Sequence, residues 1–462
     1  MSPSWYLVTG IAAVLLLPIG ARVAQRRFDP FEPIVLFVLA WGAMFVARPA
    51  SMLARDKLTY WGVDIRSTLP LALLLALVGA VAFIAAYESI LGARAAAYVP
   101  SAPPLRLGRT VVGAGAAAAL AAVALLVFLP LGEGPSAFLY LLEGRSERLG
   151  ELARSQSSYV WALSLLFIPA AFLAFVVALR RRTLATWTLF AAIVTLALLR
   201  TVPIGHRGAL LPLVGGMLML VYLNRRRRPR MMTLAGVVVV ALLLSYLVLF
   251  LRYPYARGET LDGLRAVAAD PAAVFDPIVR GADAEMAPAF SAALTVVPSR
   301  LGYQYGGAVF GDLVVRPVPR ELWGGKPLTP AREVRIALWP EPVLQHGFDP
   351  AFSTLLVFYR DFGIFGVIAG MAAFGLLARA LYAYLLRNDA ALAVQALYAL
   401  IVWYVVIGLR DGPVDTLVQA AFIGGPVVLV LALSSWPRRR TNVAEPTAVD
   451  ASREPPLREV TR

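Results

Sequence analysis

Residues 233–251, TLAGVVVVALLLSYLVLFL, carry no charge and show no alternation, and runs of the same kind recur along the chain. About 20 consecutive apolar residues is the length that crosses a bilayer as a helix. Backbone exposed to lipid must satisfy its own hydrogen bonds, which leaves helices or closed barrels. Barrel strands alternate apolar and polar residues with period two, and these runs do not. The chain is therefore expected to be all-α, a polytopic transmembrane helical bundle. Composition agrees, since 59% of the 462 residues are hydrophobic and only 15% charged, more apolar than a soluble core can absorb.

Hydropathy places eleven spans near 4–20, 31–47, 68–90, 110–130, 159–179, 183–199, 208–223, 233–252, 363–385, 390–409 and 412–436. The short pair 183–199 and 208–223 reads equally well as a re-entrant hairpin, and removing both leaves every other assignment unchanged. The net charge of +15 would suit nucleic acid, but the arginines cluster directly after apolar runs, where they orient helices. No nucleic-acid partner is expected. The first span lacks a basic leader and is followed by ARVAQRR, which puts the N-terminus outside and argues against a cleaved signal peptide. Alternate counting then brings RRR (180–182), RRRRPR (225–230) and PRRR (437–440) to the cytoplasmic side.

The same count makes 253–352 a large extracytoplasmic loop between spans eight and nine, with nine basic and eleven acidic residues. The resulting organisation is 1–252 (eight spans), 253–352 (the loop), 353–436 (three spans) and 437–462. That last segment is a basic tail too polar and Pro-rich to bury a core, expected to be disordered in the cytoplasm. Cysteine is absent, so there is no disulfide or thiol chemistry.

Charges at span centres normally mark ion or proton pathways. Here the centres are nearly empty, and the charges that topology does not explain collect on the outer side. RTVPIGHRGALLP (200–212) places Arg200, His206 and Arg207 where two helices meet the surface. Arginine forks suit phosphate, although arginines also snorkel from helix ends. LRDGP (409–413) holds Arg410 and Asp411, either a second phosphate contact or a self-paired turn. In the loop, DAE (283–285) offers Glu285 as one of two close carboxylates, a spacing that also arises by chance among eleven acids. Tyr303, Tyr305 and Trp323 offer ring faces for a glycan, or anchors to the bilayer. Histidine ordinarily changes charge near neutral pH, which makes His346 a candidate base, and Arg360 and Asp361 interrupt the apolar approach to the next span. Lys326 is one of only two lysines, set in PRELWGGKP (319–327). An ammonium is a compact point charge where arginine is a planar fork, so the choice suggests a specific contact.

Three segments in this order, HRGALL (206–211), VPSRLGYQYGGAVFGDLVVRPVPRELWGGKP (297–327) and FSTLLVFYRDFGIFG (352–366), resemble the Wzy-type O-antigen polymerases, or oligosaccharide repeat unit polymerases. The shared pattern is an Arg-Gly opening a helix, then Pro-Arg, Leu-Trp and Lys-Pro, then phenylalanine-glycine-x-x-glycine. LWGGKP departs from the commoner tryptophan-proline-x-lysine form. The resemblance covers roughly 200–370. It implies a lipid-linked oligosaccharide polymerase of the bacterial cytoplasmic membrane with its active site facing outside. Such an enzyme would join undecaprenyl-pyrophosphate-linked units by metal-independent inverting transfer, without a cofactor. Arg207, Arg320, Lys326 and Arg410 would hold the pyrophosphates, with His346, Glu285 and Asp361 as bases in that order. Its partners would be the lipid-linked oligosaccharide, the bilayer, and a chain-length regulator and flippase of the same pathway. The alternatives are an O-antigen ligase-type transferase, a polysaccharide flippase or other transporter, and a structural membrane component.

Overall fold

The computed structural model describes residues 2–102, 105–128, 162–201, 210–226, 285–318, 322–339 and 350–435, with a few isolated positions besides. In chain order the elements are α1 (Pro3–Ala24), α2 (Pro33–Ala54), β1 (Thr59–Tyr60), β2 (Val63–Asp64), α3 (Leu69–Glu88), α4 (Ile90–Ala97), α5 (Leu107–Phe128) and α6 (Ser164–Arg181). They continue with α7 (Leu184–Thr201), α8 (Leu211–Asn224), α9 (Met286–Ala293), α10 (Asp312–Val315), α11 (Pro330–Leu338), α12 (Ser353–Arg387), α13 (Leu392–Asp411) and α14 (Pro413–Ser435). Prolines at the first turn of α1, α2, α3 and α11 start helices where a missing N–H costs nothing.

Among the described residues nine helices are long and apolar enough to cross a membrane: α1, α2, α3, α5, α6, α7, α12, α13 and α14. The chain is a multi-pass helical membrane protein. Of the other two expected spans, 208–223 appears as the shorter apolar α8, about 21 Å at 1.5 Å per residue. The 233–252 span lies outside the described residues, as does the 437–462 tail. The one departure from an all-α fold among the described residues is a small antiparallel hairpin, β1 with β2, pairing Thr59 with Asp64 and Tyr60 with Val63.

Two apolar cores meet at α12. One gathers α1, α2, α3 and α9 around Phe37, which stacks on Phe83 at 3.9 Å between centroids. The other gathers α5, α6, α8, α13 and α14 around Phe172, Leu220 and Tyr398. Part of the expected loop belongs to the first core, since every residue of α9 is buried. α12 spans 35 residues, far more than a bilayer needs, and it is broken at Phe362 (φ −139°) and Gly363 (φ +59°). Gly363 adopts a left-handed conformation that a side chain would strain, which divides the helix into a short arm and a spanning arm.

The arms fold back sharply. Phe358 and Gly366 would lie about 12 Å apart along a straight helix, yet a Cβ added at Gly366 would sit 2.1 Å from the Phe358 carbonyl oxygen. The Phe-Gly-x-x-Gly motif is thus one turn: Gly363 makes the bend and Gly366 admits the returning backbone. The spanning arm then crosses α3 where Gly375 lies against the main chain of Phe83.

At the end of the bundle away from the Gly363 break, the Arg22 fork binds Glu32 at 2.7 Å through two nitrogens and reaches Glu88 at 2.7 Å. Tyr87 donates to Glu32 at 3.0 Å and the Arg379 guanidinium lies over the Tyr87 ring. Buried carboxylates persist when every lone pair has such a partner.

Gly366→Ala should lower stability by about 1–3 kcal/mol through overpacking, whereas Gly115→Ala, which meets nothing within 4 Å, should be neutral. Thermal unfolding of the purified protein in detergent measures the difference, and equal midpoints for the two variants would contradict the fold-back turn.

Candidate active site

Breaking α12 leaves the carbonyls at the end of its short arm without helical partners. The loop supplies them: the Gln304 N–H donates to the Arg360 carbonyl at 2.7 Å and the Tyr305 N–H to that of Asp361 at 3.1 Å. The side chains of the same two residues hold the loop from the other direction. The Asp361 carboxylate accepts from the N–H groups of Gly306 at 3.0 Å, Ala308 at 2.7 Å and Val309 at 3.1 Å, capping the π turn Gly307–Gly311 that leads into α10. The Arg360 guanidinium donates to Glu333 of α11 at 2.7 Å and to the Gly302 carbonyl. Gln304 donates to the same Glu333 oxygen at 2.9 Å. Arg360 and Asp361 are each 3% exposed, so this double anchor sits out of water, where charge-assisted hydrogen bonds are strongest.

Beyond the anchor, the residue that caps α10 is one that sequence reasoning missed. Arg316 pairs with Asp312 one turn earlier and with Asp415 at the start of α14. It thereby clamps the loop onto the turn between α13 and α14. Lys326 lies on the near side of this clamp and donates to the carbonyls of Arg316 at 2.9 Å and Val318 at 2.8 Å. Two carbonyls on one bend suit a small ammonium better than a planar fork, which explains a lysine there. On the turn itself Arg410 pairs with its neighbour Asp411 at 3.1 Å. Lys326 and the Arg410–Asp411 pair, expected to act together, are thus linked through Arg316 and Asp415.

The other expected residues are placed differently. Glu285 lies at the start of α9, accepts from the Tyr60 hydroxyl at 3.2 Å and faces Arg48 at 3.5 Å. Burial, and then the Glu285 charge, raises the Tyr60 pKa, so its hydroxyl stays a neutral donor. Arg200 is 2% exposed at the end of α7 and donates to Ser164 at 2.5 Å, tying that end to the start of α6. Tyr303 packs edge-on against Tyr359 and Tyr305. Tyr305, 74% exposed, meets Phe362 at 6.2 Å, while Trp323 is 41% exposed. His206, Arg207, Arg320 and His346 lie outside the described residues. Among the described residues no three His, Asp or Glu side chains gather as a metal-holding group.

With this geometry in view, residues 353–422 match a family model described as "Putative O-antigen polymerase". The match supports the Wzy-type O-antigen polymerase family. It spans α12, with the anchor and the fold-back turn, then α13, the Arg410–Asp411 turn and the first part of α14. An O-antigen polymerase match supports a role in polysaccharide polymerisation. No curated protein matches the chain, and no solved structure does.

Asp361→Asn keeps the shape but halves the acceptor capacity, so it should cost about 1.5–3 kcal/mol and speed proteolytic cleavage within 302–326 in the folded protein; unchanged cleavage would rule out the anchor. Arg316→Ala and Asp415→Ala should be non-additive in thermal unfolding, with a coupling of roughly 0.5–3 kcal/mol.

Proposed function

We propose that this chain polymerises undecaprenyl-pyrophosphate-linked oligosaccharide repeat units into a surface polysaccharide, by inverting glycosyl transfer on the outer side of the bacterial cytoplasmic membrane. The observation that carries the reading is the anchored loop. The segment that matches the polymerase family holds the Tyr-, Gly- and Lys-bearing loop in place through Arg360 and Asp361. Positive-inside counting supports the outer placement, because the arginine-rich helix ends cluster at the opposite end of the bundle from this loop.

In the reaction an acceptor sugar hydroxyl attacks the anomeric carbon of the donor unit. The bond from that carbon to the pyrophosphate oxygen breaks, and the lipid pyrophosphate leaves with the electron pair. Arg207, Arg320, Lys326 and Arg410 hold the developing negative charge, a preorganised electrostatic role. Arg316 orders the backbone that carries Lys326. Arg200 is a positioning residue, fixing the helix end from which His206 and Arg207 depart. His346 takes the hydroxyl proton, since its ordinary pKa suits a base at neutral pH. Asp361 does not compete for that role, because three N–H groups occupy its oxygens. Glu285 is the second candidate, held by Tyr60 and Arg48. Tyr303, Tyr305 and Trp323 stack on sugar faces. Asp411 orients Arg410.

Purified protein given undecaprenyl-pyrophosphate-linked oligosaccharide should form a ladder of longer products, with or without chelator. Lys326→Ala, Lys326→Arg and Arg207→Ala should each lower turnover by at least about a hundredfold, in the range seen when one charge-stabilising donor is lost. Cells lacking the gene should accumulate single repeat units on the lipid carrier. Normal polymer length in those cells would refute the polymerase reading, and polymer that forms but is not attached would point to the ligase class.

A further inference from the structure

The run Arg180, Arg181 and Arg182 accounts for more than helix orientation. Where α6 ends and α7 begins, beside the last turn of α8, the bundle leaves a cavity of about 370 Å³. Its wall is apolar: Phe175 and Leu179 from α6, Trp187 from α7 and Val221 from α8. Phe175 meets Trp187 edge-on at 6.2 Å, and both rings contact Phe190. The rim is cationic and polar, formed by Arg182, Arg225 and Asn224. Arg182 caps α6 in a left-handed conformation (φ +52°). Neither the Arg182 nor the Arg225 guanidinium makes a hydrogen bond or ion pair with a described residue. A second cavity on the other side of the run is lined by Arg180 together with Leu105, Leu107 and Leu392.

An apolar slot rimmed by two arginine forks, where α6 ends, α7 begins and α8 ends, suits an anionic amphiphile. Basic pockets between helices at the cytoplasmic surface are where acidic lipid head groups bind. Orientation alone requires positive charge near a helix end, but it requires neither a cavity nor an aromatic wall. We propose that this cavity is a binding site for an anionic phospholipid of the inner leaflet. The phosphate lies between Arg182 and Arg225, and one acyl chain runs along Phe175, Trp187 and Val221. The site lies at the opposite end of the bundle from the candidate active site and is independent of that reading.

Trp187 makes the site observable. Full-length protein in phosphatidylcholine nanodiscs is titrated with phosphatidylglycerol or phosphatidylcholine carrying the same bromine-labelled chains, and the Trp187 contribution is isolated by subtracting the W187F signal. The quenching should favour phosphatidylglycerol by on the order of tenfold, a preference that two cationic contacts at an anionic surface support. R182Q/R225Q should bring the two lipids to parity, and Val221→Phe should abolish quenching by filling the slot while keeping both arginines. R26Q/R27Q, which removes the same charge from the exposed turn after α1, should leave the preference intact and controls for folding and orientation. Equal quenching by the two lipids in the wild type would overturn the proposal, as would an undiminished preference in R182Q/R225Q.

Discussion

Two adjacent charges buried at a helix break set the arrangement of everything at the loop end of this molecule. Arg360 and Asp361 come immediately before the Phe362–Gly363 bend and are nearly out of water. A buried charge is tolerated only when its hydrogen-bonding capacity is met. Here the partners come from earlier in the sequence, residues 302–309 of the loop and Glu333 of α11, so the need to satisfy the pair determines where the loop lies. Arg316 then passes the constraint to α14, and Lys326 to the bend after α10.

The opposite end is organised by the same kind of interaction with the roles reversed. Glu32 is the buried acceptor, and Arg22, Tyr87 and Arg379 converge on it from three helices. Between these two polar layers the helices touch almost wholly through apolar side chains, as the empty span centres require. Lipid gives apolar surfaces little reason to prefer one another, so close packing and a few polar clusters must decide how helices associate. Gly375 against Phe83 supplies the first, and the two charged layers the second.

What the sequence makes legible follows from range. Spans are local, and among the described residues nine of the expected ones correspond to long apolar helices, because continuous apolar runs leave little alternative to a helix in lipid. The Gly363 break coincides with the expected start of the ninth span for the same local reason. Asp361 and Glu285 look alike in sequence as loop-side carboxylates, yet one caps a π turn and the other meets a tyrosine of the β1–β2 hairpin and an arginine of α2. Those partners are dozens to hundreds of residues away, and no spacing rule reports them. Arg316, four residues after an aspartate, reads in sequence as an ordinary helical pair; only the fold brings Asp415 to it.

Asp361 grips the loop through peptide N–H groups alone, at Gly306, Ala308 and Val309. A main-chain grip is indifferent to most side chains. Side chains of the loop can therefore be exchanged through mutation while the loop keeps its seat, so a change in its exposed surface need not be accompanied by a new scaffold.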